Sequence, residues 1–200
     1  MLVDDHAVMR RGLASLLGTC HELEVVGGAG DGETALRRVK DLRPDLVIMD
    51  LLLPRLDGIE TTRRLRLEHP EVQVLILTTS TSSDEITRAL EAGANGAMLK
   101  TADLEELRKA IQSVAGGRRY VSDEIAQIVE NDPPMPELSP RQLEVLRLIT
   151  QGFSNPEIAR CLGISVQMVK EHMTAVLLKI GAANRTEAVA IALRKHLLKI

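Results

Sequence analysis

Over the first 120 or so residues of this 200-residue chain, short apolar runs alternate with longer amphipathic stretches. Leu2-Val3, Leu46-Val47-Ile48-Met49, Val72 to Leu77 and Ala97-Met98-Leu99 have the near-continuous apolarity of strands covered on both faces. Between them, segments near Ala7 to Leu17, Glu33 to Leu42, Gly58 to Glu68, Asp84 to Ala92 and Asp103 to Ala115 repeat apolar positions with helical period. Such alternation marks repeated βαβ units. It predicts an α/β domain over 1–120, a five-stranded, doubly wound parallel sheet with right-handed crossovers and helices on both faces. Met1-Leu2-Val3 is short for a central strand, where five or six residues are typical.

The pattern then changes twice. Residues 121–137 carry Asp123, Glu124, Glu130, Asp132 and Glu137 without a Lys or Arg, and three prolines fall within Pro133 to Pro136, which predicts an acidic, extended linker. From Leu138 to Ile200 only helical patterns remain. Ser139-Pro140 with Gln142 caps a helix that ends at Gly152, and Asn155-Pro156-Glu157 opens a second. Ser165 caps a third helix, and Thr186 to Leu198 forms a fourth. Two short helices joined by Leu162-Gly163-Ile164-Ser165 predict a helix-turn-helix unit in a small all-α domain over 138–200.

Chemistry enters where the apolar runs stop. Asp4 and Asp5 follow the first run, Asp50 the second, Thr78 the third and Lys100 the fourth. In a parallel sheet these positions share the carboxyl edge, where open α/β folds build their sites. Three carboxylates in one pocket repel one another unless a cation joins them. Mg²⁺ suits the set, since it takes one or two carboxylates and keeps room for water and a phosphate oxygen. One carboxylate is then a nucleophile towards phosphorus, with Lys100 and Thr78 binding the oxygens of the transferred group. A single Asp at a strand end is as readily a helix cap, so the weight rests on the five positions together.

Composition narrows the field. Tyr120 and Phe153 are the only Phe, Trp or Tyr residues, so the cores are aliphatic, and this scarcity argues against base stacking on an aromatic platform. The net charge of −3 conceals an asymmetry, because the stretch from Glu137 onward is about four charges positive and the rest is acidic. That points to a nucleic-acid partner for the C-terminal part. Cys20 and Cys161 have no paired spacing, no signal sequence opens the chain and no apolar run reaches a membrane span, which together predict a cytoplasmic protein with no membrane partner.

Leu2-Val3-Asp4-Asp5-His6, Gly30-Asp31-Gly32-Glu33, Pro44-Asp45-Leu46-Val47, Asp50-Leu51 with Pro54, Asp57-Gly58, Thr78, Gly93-Ala94 and Lys100 resemble a bacterial response-regulator receiver domain. Leu138-Ser139-Pro140-Arg141-Gln142, Ser154-Asn155-Pro156-Glu157-Ile158-Ala159, Leu162 to Ser165, Val169-Lys170, His172, Lys179-Ile180-Gly181 and Asn184 to Ala188 resemble the LuxR-type DNA-binding domain. Together the chain resembles a two-component response regulator of the NarL/FixJ class. The resemblance implies that Asp50 accepts a phosphoryl group from a sensor histidine kinase. It further implies that Asp4, Asp5, Asp50 and the Leu52 carbonyl hold Mg²⁺, and that the active form is a homodimer on palindromic double-stranded DNA. The receiver is no enzyme towards outside substrates. It departs from its relatives at Ala97, where they carry Tyr or Phe, so switching falls to Thr78 and the loop after it. Leu52 offers no polar group to orient a hydrolytic water, which implies slow self-dephosphorylation. The alternative is an atypical receiver whose DNA binding is governed by a protein partner or by concentration.

On the third helix of the second domain, Val169, Met173, Val176 and Ile180 fall on one side and are expected to pack inward. Gln167, Lys170, Glu171 and Thr174 then face out to read base edges, Leu178 shares that face, and Lys179 and Arg185 near helix ends are expected to meet phosphates.

Overall fold

The computed structural model describes residues 1–133, 138–194 and Leu197, in two compact units, Met1–Pro134 and Met135–Ile200. In the first unit β1 (Leu2–Val3), β2 (Gly28–Ala29), β3 (Leu46–Met49), β4 (Gln73–Thr78), β5 (Gly96–Leu99) and β6 (Tyr120–Val121) form one sheet. Its order is β2-β1-β3-β4-β5-β6 and every pairing is parallel. The helices α1 (Ala7–Leu17), α2 (Gly32–Leu42), α3 (Gly58–Glu68), α4 (Ser83–Glu91), α5 (Leu104–Ala115) and α6 (Asp123–Asn131) complete the unit.

Strand alternation sorts the core into two layers. Val3, Val47, Met49, Val74, Ile76 and Ala97 point to one face, where they meet Ala35 and Val39 of α2, Ile59 and Leu65 of α3, and Ile86 and Ala89 of α4. Leu2, Leu46, Ile48, Leu75, Leu77 and Met98 point to the other and meet Leu17 of α1 and Leu107, Ala110, Ile111 and Val114 of α5. Each aliphatic side chain removed fully from water contributes about 1.5–3 kcal/mol, enough for a sheet without aromatic filler. β1 is as short as its sequence implied, yet it sits between β2 and β3, with Leu2 opposite both Gly28 and Ile48.

The expected five strands are present, and a sixth extends the sheet. Tyr120 pairs with Gly96, and the Ser122 N–H donates to the Ala97 carbonyl at 3.1 Å. Beyond it, residues 123–131 were expected to belong to an extended linker and are instead α6. Ser122 caps this helix by accepting from the Ile125 N–H, and Asp123 and Glu124 in its first turn suit the helix dipole. Ile125 is fully buried against the α2–α3–α4 face, with Ile128 and Val129 packed beside it. A nine-residue helix is marginal alone in water, so its acids and the prolines after it dominate a local reading, and only packing against α4 and β5 makes it form. The prolines at 134 and 136 lie outside the described residues.

The second unit contains α7 (Pro140–Thr150), α8 (Asn155–Leu162), α9 (Val166–Ile180) and α10 (Arg185–Arg194). Ser139 with Gln142 and Ser154 with Glu157 form the capping boxes that start α7 and α8, each followed by Pro in the first turn. α8 ends on Gly163 at φ 65°, a left-handed position that glycine adopts without strain, and this turn leads into α9. Val145, Leu146, Ile149, Ile158, Val169, Val176, Ala188 and Ala192 fill a separate aliphatic core. Of the expected continuation of α10 to Leu198, residues 195, 196 and 198 lie outside the described residues.

Candidate functional site

Because β1, β3, β4 and β5 run parallel, their carboxyl ends bring the sequence-predicted set to one edge. Asp4 follows β1, Asp50 follows β3, Thr78 closes β4 and Lys100 follows β5. The Lys100 ammonium donates to Asp4 Oδ2 and to Asp50 Oδ2, both at 2.6 Å. All three side chains are at most 10% exposed. Burial pulls the Lys100 pKa down, but the hydrogen bonds and charges of Asp4 and Asp50 outweigh it, and the group lies above the ordinary lysine range. The second oxygen of Asp4 accepts the His6 N–H at 2.7 Å, and that of Asp50 accepts the Leu52 N–H at 3.2 Å.

Asp5 stands apart in exposure. It is on the rim, with Oδ1 2.8 Å from His6 Nδ1. Among the described residues, Asp4, Asp5 and His6 bring ligand atoms within 4.8 Å of one another. Sequence reasoning assigned His6 no role, although it stands directly after the two acids. The buried Asp4 and the rim Asp5, with Asp50 across the Lys100 ammonium, are a hard-oxygen set that fits Mg²⁺ better than a softer metal. The imidazole adds little to such an ion.

The loop after β3 is held close to Asp50 by Gly58. A Cβ there would lie 2.0 Å from the Asp50 carbonyl oxygen, so only glycine permits the α3 start to cross the strand end. Arg55, left-handed at φ 68°, pairs its guanidinium with Asp31. Thr78 is fully buried, and its Oγ1 accepts the Ser80 N–H at 3.0 Å. Ser80 Oγ in turn donates to Glu85 Oε2 at 2.5 Å.

In the second unit α9 divides as its periodicity predicts. Val169, Met173, Val176 and Ile180 are buried, while Gln167, Lys170, Glu171, Thr174 and Leu178 are exposed. Gln167 Nε2 donates to Glu171 Oε1 at 3.3 Å, and Thr174 Oγ1 donates back to the Lys170 carbonyl at 3.0 Å. The two expected phosphate contacts have other employment. Lys179 Nζ donates to Gln142 Oε1 at 3.1 Å, and the Arg185 guanidinium donates to the Phe153 carbonyl and to Asn155 Oδ1. Both tie helices together, since each lies where a helix end meets the α7 cap or the α7–α8 loop. Charge and position along the sequence could not reveal those partners. Val166 and Met168, 38% and 44% exposed at the start of α9, add an apolar edge beside Gln167.

Comparison with known proteins agrees with this geometry. The family model of the response regulator receiver domain matches residues 1–112, and that of the bacterial regulatory proteins of the luxR family matches residues 136–192. The response regulator protein VraR of Staphylococcus aureus is 34% identical over 204 residues, spanning 100% of this chain and 98% of its own length. The crystal structure of the response regulator ChrA of a heme-sensing two-component system is 38% identical, with a TM-score of 0.59 over 99% of this chain and 97% of its own. The RcsB–DNA complex superposes with a TM-score of 0.69 over 97% and 96%, and at 24% identity it shows the fold alone. The chain belongs to the response regulators that join a receiver domain to a LuxR-type DNA-binding domain. It is a DNA-binding transcriptional regulator. No helix among the described residues is long and apolar enough to cross a membrane.

Proposed function

We propose that phosphorylation of Asp50 by a sensor histidine kinase switches this regulator. The observation that carries the reading is Lys100, held 2.6 Å from both Asp4 and Asp50 at the carboxyl edge of the sheet. An Asp50 oxygen attacks the phosphorus of a phosphohistidine, the P–N bond breaks, and the imidazole leaves with its electron pair and takes up a proton. Lys100 then has a phosphoryl oxygen to bind, and the Thr78 hydroxyl can donate to another. Mg²⁺ held by Asp4, Asp5, Asp50 and the Leu52 carbonyl would offset the charge of the incoming group. Leu52 is half-exposed and purely apolar, so nothing at that position orients a water for attack on phosphorus. The phosphorylated form therefore hydrolyses slowly, and a half-life of seconds for labelled phosphate release would overturn this.

The output is a homodimer acting in the cytoplasm on two-fold symmetric DNA, with α9 in the major groove. Lys170 and Gln167 donate to base edges, Glu171 accepts from cytosine N4, and Thr174 lies at the neighbouring base or phosphate. Lys179 and Arg185 support this surface through α7 and α8 and remain candidates for backbone contacts. Intact mass after acetyl phosphate and Mg²⁺, beside sedimentation and DNA retardation, tests the scheme. One phosphoryl gained by the wild type and absent in Asp50→Asn, with tighter dimerisation, is expected. A second reading is favoured by the buried Ala97, which supplies no aromatic lever. In it a protein partner controls DNA binding, and an absent mass gain with unchanged retardation would select it.

A further inference from the structure

The face made by α4 and β5 is an internal docking surface whose occupant is α6. Ile125 of α6 lies in one apolar cluster with Ile86 and Ala89 of α4 and Ala97 of β5, all four fully buried. At position 97 the chain contributes only a methyl group, so the surface has room for an isoleucine from α6. At the other end of the helix the buried Ser83 hydroxyl, in the first turn of α4, donates to Asp132 Oδ2 at 3.2 Å. α6 is thus fastened at two points to α4.

The first turn of α4 is also tied to the phosphoacceptor pocket. Thr78 Oγ1 accepts the Ser80 N–H, and Ser80 Oγ donates to Glu85 Oε2 and accepts the Ser82 N–H at 3.2 Å. Ser82 caps α4 by accepting the Glu85 N–H at 3.3 Å. Ser83 is the next residue. An unbroken run of hydrogen bonds and one peptide link therefore joins Thr78 to Asp132, the residue before the segment that leads to the second unit.

We propose that α6 is a latch, closed on α4 and β5 while Asp50 is unmodified and released when Thr78 turns to a phosphoryl group on Asp50. The inference rests on the phosphoacceptor reading above. When the Thr78 hydroxyl engages the phosphoryl oxygens, Ser80 loses its acceptor, the Ser80–Glu85 link shifts with the loop, and the α4 cap that presents Ser83 to Asp132 moves with it. Ser80 and Glu85 are positioning residues. They act through Thr78 and α4 and need not touch the phosphoryl group.

Backbone hydrogen exchange of residues 123–131 in the full-length protein, read by mass spectrometry beside the intact mass of the same sample, tests the latch. Wild type carrying one phosphoryl should exchange there about tenfold faster than the unmodified protein. Ser83→Ala should exchange faster without any phosphoryl. Ser80→Ala should gain the phosphoryl yet keep residues 123–131 protected, a separation that a merely structural role for Ser80 does not produce. Equal protection in phosphorylated and unmodified wild type would overturn the latch, as would a Ser80→Ala protein that opens like wild type. A wild type that gains no phosphoryl would instead overturn the phosphoacceptor reading, and the latch with it.

Discussion

Lys100 is a cation placed between two buried carboxylates, so each of the three charges depends on the others. Removing it leaves Asp4 and Asp50 facing each other out of water. Lys100→Met is expected to lower stability by about 3 kcal/mol, measured by urea unfolding, and Mg²⁺ should restore more of it in the variant than it adds to wild type. An unchanged urea midpoint would remove Lys100 from this role. Asp31 offers a pH test. The Thr34 N–H first of all, then the Thr34 hydroxyl and Arg55, hold its carboxyl below the usual carboxylate range against the opposing effect of burial. A lowered folded pKa contributes stability that is present above the unfolded value and lost as pH falls through the folded one. Wild type should therefore exceed Asp31→Asn in melting temperature at pH 7, and the difference should shrink as the pH is lowered below the usual carboxylate range. The five candidate residues were legible because they follow four apolar runs, Asp4 and Asp5 the first and Asp50, Thr78 and Lys100 one each. His6 and Ser80 were not, since no apolar run marks them and their roles lie in contacts with near neighbours, His6 Nδ1 with Asp5, and Ser80 through its N–H with Thr78 and its hydroxyl with Glu85.

At the scale of elements, caps mark several helix ends that periodicity leaves open. α2 closes on Arg43, a non-glycine residue at φ 44° with an exposed side chain. Arg43→Gly is expected to stabilise the first unit by about 1 kcal/mol in thermal unfolding, while Arg43→Val should destabilise it. On α9, Leu178 is 84% exposed. Leu178→Lys should leave stability within about 0.5 kcal/mol and steepen the salt dependence of DNA binding by about one unit, as one added phosphate contact would. The helices α1 to α5 were readable from periodicity, and α7 to α9 from caps, periodicity and glycine stops. α6 was not, because Ile125, Ile128 and Val129 make a face too short to outweigh the acids and prolines around it. Its partner face on α4 and β5 is supplied by residues some 30 to 40 positions earlier.

At the scale of the whole molecule, two aliphatic cores carry opposite assignments of charge, an acidic pocket in the first unit and a net positive second unit. If two copies act together, DNA selected from a random pool should be two-fold symmetric, with half-site centres about 10 bp or a multiple apart; an asymmetric consensus would contradict the dimer. The sequence by itself determined the βαβ alternation, the helical second half, the carboxyl-edge set and the outward stripe of α9. All of these follow from local periodicity and from the rule that residues ending parallel strands share an edge. The tertiary structure alone decided that Lys100 bridges Asp4 and Asp50 rather than only facing them, and that Lys179 and Arg185 brace helices. It alone decided that the acidic stretch after Tyr120 becomes a strand and a docked helix. Those outcomes depend on which distant surface a side chain meets, and burial against that surface outweighs the local preferences that a sequence displays.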